Sequence, residues 1–562
     1  MATNGITTLG NRTFLFGGSS GIDTSALIEA AYNQRKAEAD KIDIQITKNT
    51  AKVSAYSSLQ TLGSAVQTAL SGLQKNYSVL SSSSSFDSRA GTLSSSSTTS
   101  PTSLVTVAID PGTPLGNYEL EVVAKAQAHR VGGNSTTTNK DADLNFAGTF
   151  DIGVAGGAAD TVTVTADMSL SELAAAINDK SSTTGVTASV LKSSESGYQL
   201  ILTATDTNKQ IEITNVTGDD ALQSLGVTDG LGGFSNELQT AQGATIVLDN
   251  VTITRDDNDF SDLIDGISLN VLNAEPGTKI QLQITNDTSS VKDDILNFVD
   301  TYNELRNFIL SQQKISDGAV ADEAVLFGDT LLKTMTSSIQ SMLSGAYGTG
   351  GGNKETLAEL GISMGNGGVL EVDETALDDA LLNNFDEVRG IFESTASVDN
   401  AEFRFVGNTS STQSMSFALD ITYSGGAITD VSVGGDNTLF EVSGTLIKGK
   451  AGTIYEGLSF AYVGTSNTTV NIDFAQGFAD MFSNNMESFT SVTSGILQSQ
   501  KVSLEDQNDT LQARADRVTE RAEEYREKLI DRYAAFEAQI AASQTILAQI
   551  QAILDASNNS NN

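Results

Sequence analysis

From Leu504 onward the apolar positions recur every three or four residues. Leu504, Asn508, Leu511, Ala515, Val518, Ala522, Tyr525 and Leu529 alternate gaps of 4 and 3, and Tyr533, Phe536, Ile540, Ser543, Leu547, Ile550 and Leu554 continue the alternation. A stripe of this period belongs to a long helix in a bundle or coiled coil, because a strand places alternate residues on opposite faces. Between Tyr525 and Phe536 the gaps are 4, 4 and 3, an 11-residue stutter that should relax a left-handed supercoil locally. Glu524 and Lys528, four apart and off the seam, keep the outer face wet. Such a stripe demands cover. Leu511, Val518, Tyr525, Leu529, Phe536, Ile540, Leu547, Ile550 and Leu554 are therefore the candidate bundle and partner interface, intramolecular for most of its length, with intersubunit packing as the alternative near the end.

Other segments can supply that cover. Leu59, Leu62, Val66, Ala69, Leu73 and Leu80 form a heptad seam, and Val291, Ile295, Phe298, Tyr302, Leu305 and Ile309 a second one. Leu511, Val518, Leu529 and Phe536 are expected to bury against these two helices. A first helix should start after Ser20-Gly21-Ile22-Asp23-Thr24-Ser25, where Gly supplies a turn and Asp or Thr a cap. Gln34, Arg35, Glu38 and Lys41 interrupt its stripe, so order there is expected only under a partner. A weaker helix is read over 321–343, and an acidic one follows Val369-Leu370-Glu371-Val372.

The middle of the chain reads as sheet. Residues 78–103 form a Ser/Thr linker with too little apolar content for a core. Period-two alternation then begins: Val105 and Val107, followed by Tyr118, Leu120 and Val122 across the hairpin-like signal Pro111-Gly112. Ser169 and Glu172 make a capping box for a short helix from Leu170 to Asn178. Ile267, Leu269 and Val271 alternate, as do Ile280, Leu282 and Ile284, with Pro276-Gly277 as the turn between them. The expected fold class is multidomain α+β: a helical, coiled-coil bundle of N-terminal, central and C-terminal helices with inserted antiparallel β-rich head domains. Its segments are 1–45, flexible; 46–85, bundle helix; 86–103, linker; 104–288, two α+β head units; 289–395, central helices; 396–477, a further β insertion; and 478–562, the C-terminal helix.

Charge and composition narrow the function. With 32 Lys+Arg against 70 Asp+Glu, a net charge of −38 repels nucleic acid and anionic lipid surfaces. Cys is absent and His129 is the only histidine, so thiolate chemistry and histidine-rich metal sites cannot be built. Gly444 to Lys450 fits the start of a phosphate-binding loop, but Ala451 lacks the hydroxyl that holds magnesium, leaving a β-turn as the reading. The acidic runs at Asp256 to Asp259 and Asp378-Asp379 lack a calcium-loop pattern. Neither a membrane span nor a hydrophobic leader is read. No catalytic residue, cofactor or metal is expected, and a structural or interaction protein is favoured.

The order of elements carries a resemblance. A Gly-Ile-Asp-Thr-Ser-Ala-Leu start at Gly21, a heptad helix, a Ser-rich linker with Phe86 and Arg89, and Gly116-Asn-Tyr118-Glu-Leu-Glu-Val before Ala126-Gln127-Ala128 follow in sequence. Then come Asp287-Thr-Ser-Ser-Val291, Phe298-Val-Asp-Thr-Tyr302-Asn303-Glu-Leu305, Leu326-Phe-Gly328-Asp329, Leu360-Gly361-Ile362 and Gly368-Val-Leu-Glu-Val-Asp373. This series resembles the bacterial flagellar filament capping family, flagellar hook-associated protein 2, and the unit from Ala166 to Thr205 is similar to a small domain of flagellins and their axial relatives. Residues 398–475 match no part of that pattern. The resemblance implies a ring-shaped homo-oligomer, a pentamer or hexamer, at the distal filament tip, exported by the flagellar type III apparatus and folding flagellin beneath it. It further implies contact with the hook–filament junction protein and an export chaperone at the C-terminal helix. Another axial protein or a surface adhesin are the alternative classes.

Overall fold

The computed structural model describes residues 5–9, 12–16, 21, 24–75, 84–135, 137–195, 197–348, 355–409, 412 and 414–559. They divide into two compact units, one of residues 1–82 with 291–562 and one of residues 83–290.

The unit of residues 83–290 is antiparallel throughout its described sheets. Its first core lies between a five-stranded sheet, in the order Val251–Arg255, Ala244–Leu248, Gly116–Ala124, Lys279–Asn286 and Arg89–Ser95, and a three-stranded sheet of Asp259–Ile264, Ile267–Val271 and Val105–Ile109. Val105, Leu120, Val122, Phe260, Leu269, Ile280 and Leu282 are buried there. Each strand donates one apolar face and keeps the other polar, the pattern of a sandwich.

The hairpin expected at Pro111-Gly112 fails, and the turn expected at Pro276-Gly277 is present but joins strands of different sheets. Val105–Ile109 pairs with Ile267–Val271, whereas Gly116–Ala124 pairs with Lys279–Asn286 and Ala244–Leu248. The turns at Pro111-Gly112 and Pro276-Gly277 thus carry the chain between the two sheets, because their connections are longer than a two-residue hairpin loop. A true two-residue turn stands at Asp249-Asn250, both with positive φ (46° and 67°), between Leu248 and Val251. The expected Ser/Thr linker is also corrected: Arg89–Ser95 is an edge strand on Lys279–Asn286, where backbone pairing needs no apolar side chains. Arg89 donates to the carbonyls of Thr113, Phe86 and Ser88.

The second core of this unit buries Phe150, Ile152, Val162, Leu170, Leu173, Ile177, Leu200 and Leu202. Its helix Leu170–Asn178 carries the predicted capping box, with Ser169 and Glu172 bonded reciprocally.

In the other unit, the N-terminal long helix runs unbroken over Thr24–Leu70. The expected division at residue 46 is absent: the charged residues of its first half lie outward while Ile28, Ala39 and Ile42 turn inward. Backbone pairing of Gly5–Leu9 with Arg12–Phe16 precedes it, in the segment expected to be flexible. Leu80 lies outside the described residues. The central helices are Thr288–Ser311, Thr330–Leu343, Glu374–Asn383 and Phe385–Phe392. The second begins nine residues later than the expected start at 321, because Gly328 takes φ +76° and Asp329 caps the N–H groups of Leu331 and Leu332.

Residues 395–475 fold as an inserted sandwich of two four-stranded antiparallel sheets, with Phe403, Leu419, Phe460, Tyr462, Val470 and Phe474 in its core. The chain then forms an aromatic helix, Phe478–Thr490, and the 64-residue helix Ile496–Asn559.

Candidate assembly interface on the terminal helices

The bundle core is aromatic. Phe478 and Phe482 project from the aromatic helix at a spacing of four and meet Phe298 edge-on, with centroids 5.3 and 5.7 Å away. Tyr302 is buried beside them, and its hydroxyl donates to the Gly368 carbonyl at 2.6 Å. The second half of the N-terminal helix closes this core with Tyr56, Leu59, Val66 and Leu70, all buried. Polar groups on the same helix tie it to the aromatic helix: Gln60 Nε2 donates to the Thr490 carbonyl at 2.8 Å, and Thr490 Oγ1 to Gln67 Oε1 at 2.8 Å. Tyr56 donates to Asp329 Oδ2 at 2.7 Å, and burial first, then that carboxylate, push its phenol well above the ordinary tyrosine value.

The first half of the N-terminal helix leaves the aromatic helix behind and runs antiparallel to Ile496–Asn559. Ile28 packs on Leu529 and Ile530, with Tyr525 and Tyr533 beside them. Further along, Ala39 and Ile42 pack on Ala515, flanked by Leu511 and Val518. Asn49 donates to Asn508 at 3.0 Å, and Lys501 to Gln60 Oε1 at 3.1 Å. Charged groups rim the seam: Arg514 pairs with Glu38, and the Arg35 guanidinium lies 3.8 Å from the centroid of Tyr525. Arg35 and Glu38, two of the residues that broke the N-terminal stripe in the sequence, are thus partners across a two-helix leg.

This placement divides the candidate residues. Leu511, Val518, Tyr525 and Leu529 lie in the seam, against the first half of the N-terminal helix and not against 59–80 or 291–309. Phe536, expected in the core, is 56% exposed, and Leu547, Ile550 and Leu554 are 61%, 48% and 56% exposed; Ile540 is half-buried. The cause is length. The N-terminal helix starts at Thr24, opposite Leu529 to Tyr533, so the longer helix overruns it by about 39 Å at a rise of about 1.5 Å per residue over 534–559. Ile530, off the heptad reading, is 1% exposed, because the stutter rotates the stripe toward it. The aromatic helix was also missed as a separate element; the Ser491-Val-Thr-Ser-Gly495 break was its signal.

The remaining motifs are structural. His129 is fully buried, accepts the Ile211 N–H at Nδ1 (3.0 Å) and therefore donates from Nε2 to Glu237 (3.0 Å). Gly444 and Thr445 make the two-residue turn between Ser443 and Leu446, with Gly444 at φ +64°. Asp378 pairs with Lys292. Among the described residues there is no group of three or more potential metal ligands, and no helix long and apolar enough to cross a membrane.

Comparison with known proteins points one way. Residues 241–545 match the family model of the flagellar hook-associated protein 2 C-terminus, residues 20–129 that of its N-terminus, and residues 149–206 the flagellin hook IN motif. The flagellar hook-associated protein 2 of Escherichia coli K12 is 31% identical over 382 residues, covering 65% of this chain and 77% of that protein. That of Aeromonas caviae is 27% identical over 391 residues, covering 67% and 80%. The crystal structure of the flagellar cap protein FliD D1-D2-D3 domains from Escherichia coli is 22% identical, covers 80% of this chain and 99% of that one, and superposes with a TM-score of 0.48.

Proposed function

Because the chain belongs to the flagellar hook-associated protein 2 family, we infer that it serves as the structural cap at the distal tip of the bacterial flagellar filament. The family is a structural one. Assembly into an oligomer and association with the filament follow from that membership. At a finer level, the cap is a ring of five or six copies that confines exported flagellin until it folds into the filament end. The chain leaves through the flagellar type III apparatus, meets the hook–filament junction protein, and carries an export-chaperone site on its C-terminal helix.

The observation that supports this reading best is the stripe from Phe536 to Leu554, which continues the covered seam of the two-helix leg beyond the start of its partner helix. Apolar residues repeated on one face of an overhanging helix suit a leg that docks on filament or neighbouring subunits and can detach as the cap advances. A deletion strain should shed monomeric flagellin and be non-motile. Removing residues 540–562 deletes Leu547, Ile550 and Leu554 but spares the covered seam, and should yield a folded, secreted protein that caps poorly. Normal filaments in that strain would refute the leg. Deleting Ala2 to Ser19 should stop secretion while leaving the protein folded in the cytoplasm; unchanged secretion would remove the export assignment.

A further inference from the structure

The inserted sandwich joins the helices through a neck of two antiparallel chain segments, with Thr395 across from Ala475. The segments are tightly apposed. A methyl group on Gly477 would stand 2.2 Å from the Phe392 carbonyl oxygen and 2.3 Å from the Glu393 carbonyl carbon. The Gly477 N–H donates to Ser394 Oγ at 3.1 Å, and Phe478 meets Phe392 edge-on at 5.9 Å between centroids.

Two carboxyl groups stand at this neck, Glu393 enclosed and Asp480 half-buried. Glu393 is 1% exposed; its Oε2 accepts from Arg389 Nε at 2.6 Å, and its Oε1 is buried with no hydrogen-bond partner. Asp480, in the first turn of the aromatic helix, accepts from the backbone N–H and hydroxyl of Ser394, while its Oδ2 is likewise buried and unpaired. The charge acting on Asp480 is that of Glu393, and the cation on Glu393 is Arg389, whose helix also carries Asp386 and Glu387. Tyr347, edge-on to Phe478 at 5.5 Å between centroids, directs its hydroxyl to the Met342 carbonyl. If both carboxyls were ionised, the neck would hold two negative charges beside that guanidinium and two acceptors without donors, an arrangement a low-dielectric site opposes.

We propose that Glu393 and Asp480 form a proton-held latch on the neck: one carboxyl retains its proton and offers it to the unpaired oxygen of the other, so that a single hydrogen bond satisfies both. As pH rises the proton passes to solvent base, two like charges are left facing each other, and the pairing of Thr395 with Ala475 loosens. The inserted sandwich is then free to pivot on residues 393–395 and 475–478. Burial above all raises Asp480 above the ordinary carboxylate range; the two Ser394 bonds oppose it, and the Glu393 charge adds a smaller push upward. The sign follows: the folded neck holds a proton that the unfolded chain has released, so its stability falls as pH climbs from that ordinary range to the raised value.

Hydrogen exchange of the Ser394 and Gly477 amides in the full-length protein, corrected for intrinsic rates, tests this between about pH 5 and pH 9. Protection should fall by up to tenfold per pH unit within the window. In Asp480→Asn the amide keeps an acceptor for Ser394 and gives Glu393 a permanent donor, so protection should lose its pH dependence. A flat wild-type profile, or an Asp480→Asn profile as steep as wild type, would overturn the latch. Should that variant fail to fold, carboxyl carbon NMR on the wild type decides: one of the two groups must titrate above the ordinary carboxylate range, and ionisation of both within it refutes the proposal.

Discussion

Asn49 and Asn508, 459 positions apart in the chain, meet across the seam of the terminal helices, the Asn49 amide donating to Asn508 Oδ1 at 3.0 Å. A polar pair on the seam favours one register of the antiparallel helices, because a slip separates two half-buried amides that bond each other. Asn508→Leu alone should cost about 1 kcal/mol through the unpaired partner, whereas the double replacement with Asn49→Leu should recover that loss. A double-mutant cycle by urea unfolding checks the coupling, and strictly additive effects would show that the pair sets nothing.

Leu529 and Phe536 lie seven residues apart on the same apolar stripe, yet they are 8% and 56% exposed. Leu529→Ala should therefore lower the stability of the leg by about 2 kcal/mol or more. Phe536→Ala should leave the isolated chain within about 0.5 kcal/mol of wild type while weakening assembly. Calorimetry of both variants alongside sedimentation of each separates the two roles. Equal melting losses would mean that Phe536 is covered within the chain.

A methyl group on Gly63 would stand 2.5 Å from Thr490 Cγ2, at the crossing of the N-terminal and aromatic helices. Gly63→Val should destabilise the bundle by about 2 to 3 kcal/mol despite the poor helix propensity of glycine. Thr490→Ser removes the obstructing methyl but keeps the hydroxyl that bonds Gln67 and the Met486 carbonyl. Combined with Gly63→Ala, it should restore most of the wild-type melting temperature; no rescue would place the strain elsewhere.

Alkaline conditions should attack the bundle before the sheets. Tyr56, Tyr302 and Tyr347 all have phenols held above their ordinary value, each chiefly by burial. A phenol whose folded value is raised contributes stability that is complete below the unfolded value of about 10 and is lost as pH rises from there through the raised folded value. Helix circular dichroism of the full chain should thus be steady to about pH 9 and then fall. In Tyr56→Phe the loss above pH 10 should be shallower, with about 1 kcal/mol less stability at neutral pH from the missing bond to Asp329.

Periodicity read from the sequence located the long C-terminal helix, the central helix at Val291 to Ile309 and the strands at Val105, Tyr118, Ile267 and Ile280, because a buried face must recur every 3.5 or 2 residues whatever it packs against. Local chemistry did the same for the capping box at Ser169 and Glu172, whose partners lie within a single turn. Other features depend on distant partners. The Arg35 and Glu38 that interrupt the stripe of the first helix are held by Tyr525 and Arg514, and the Ser-rich stretch at Arg89 is a strand because Lys279–Asn286 lies alongside it. Sequence alone determined that the stripe from Leu504 to Leu554 is one apolar face. Tertiary structure decided where that face ceases to be core, since the boundary past Tyr533 falls where the opposing helix starts at Thr24.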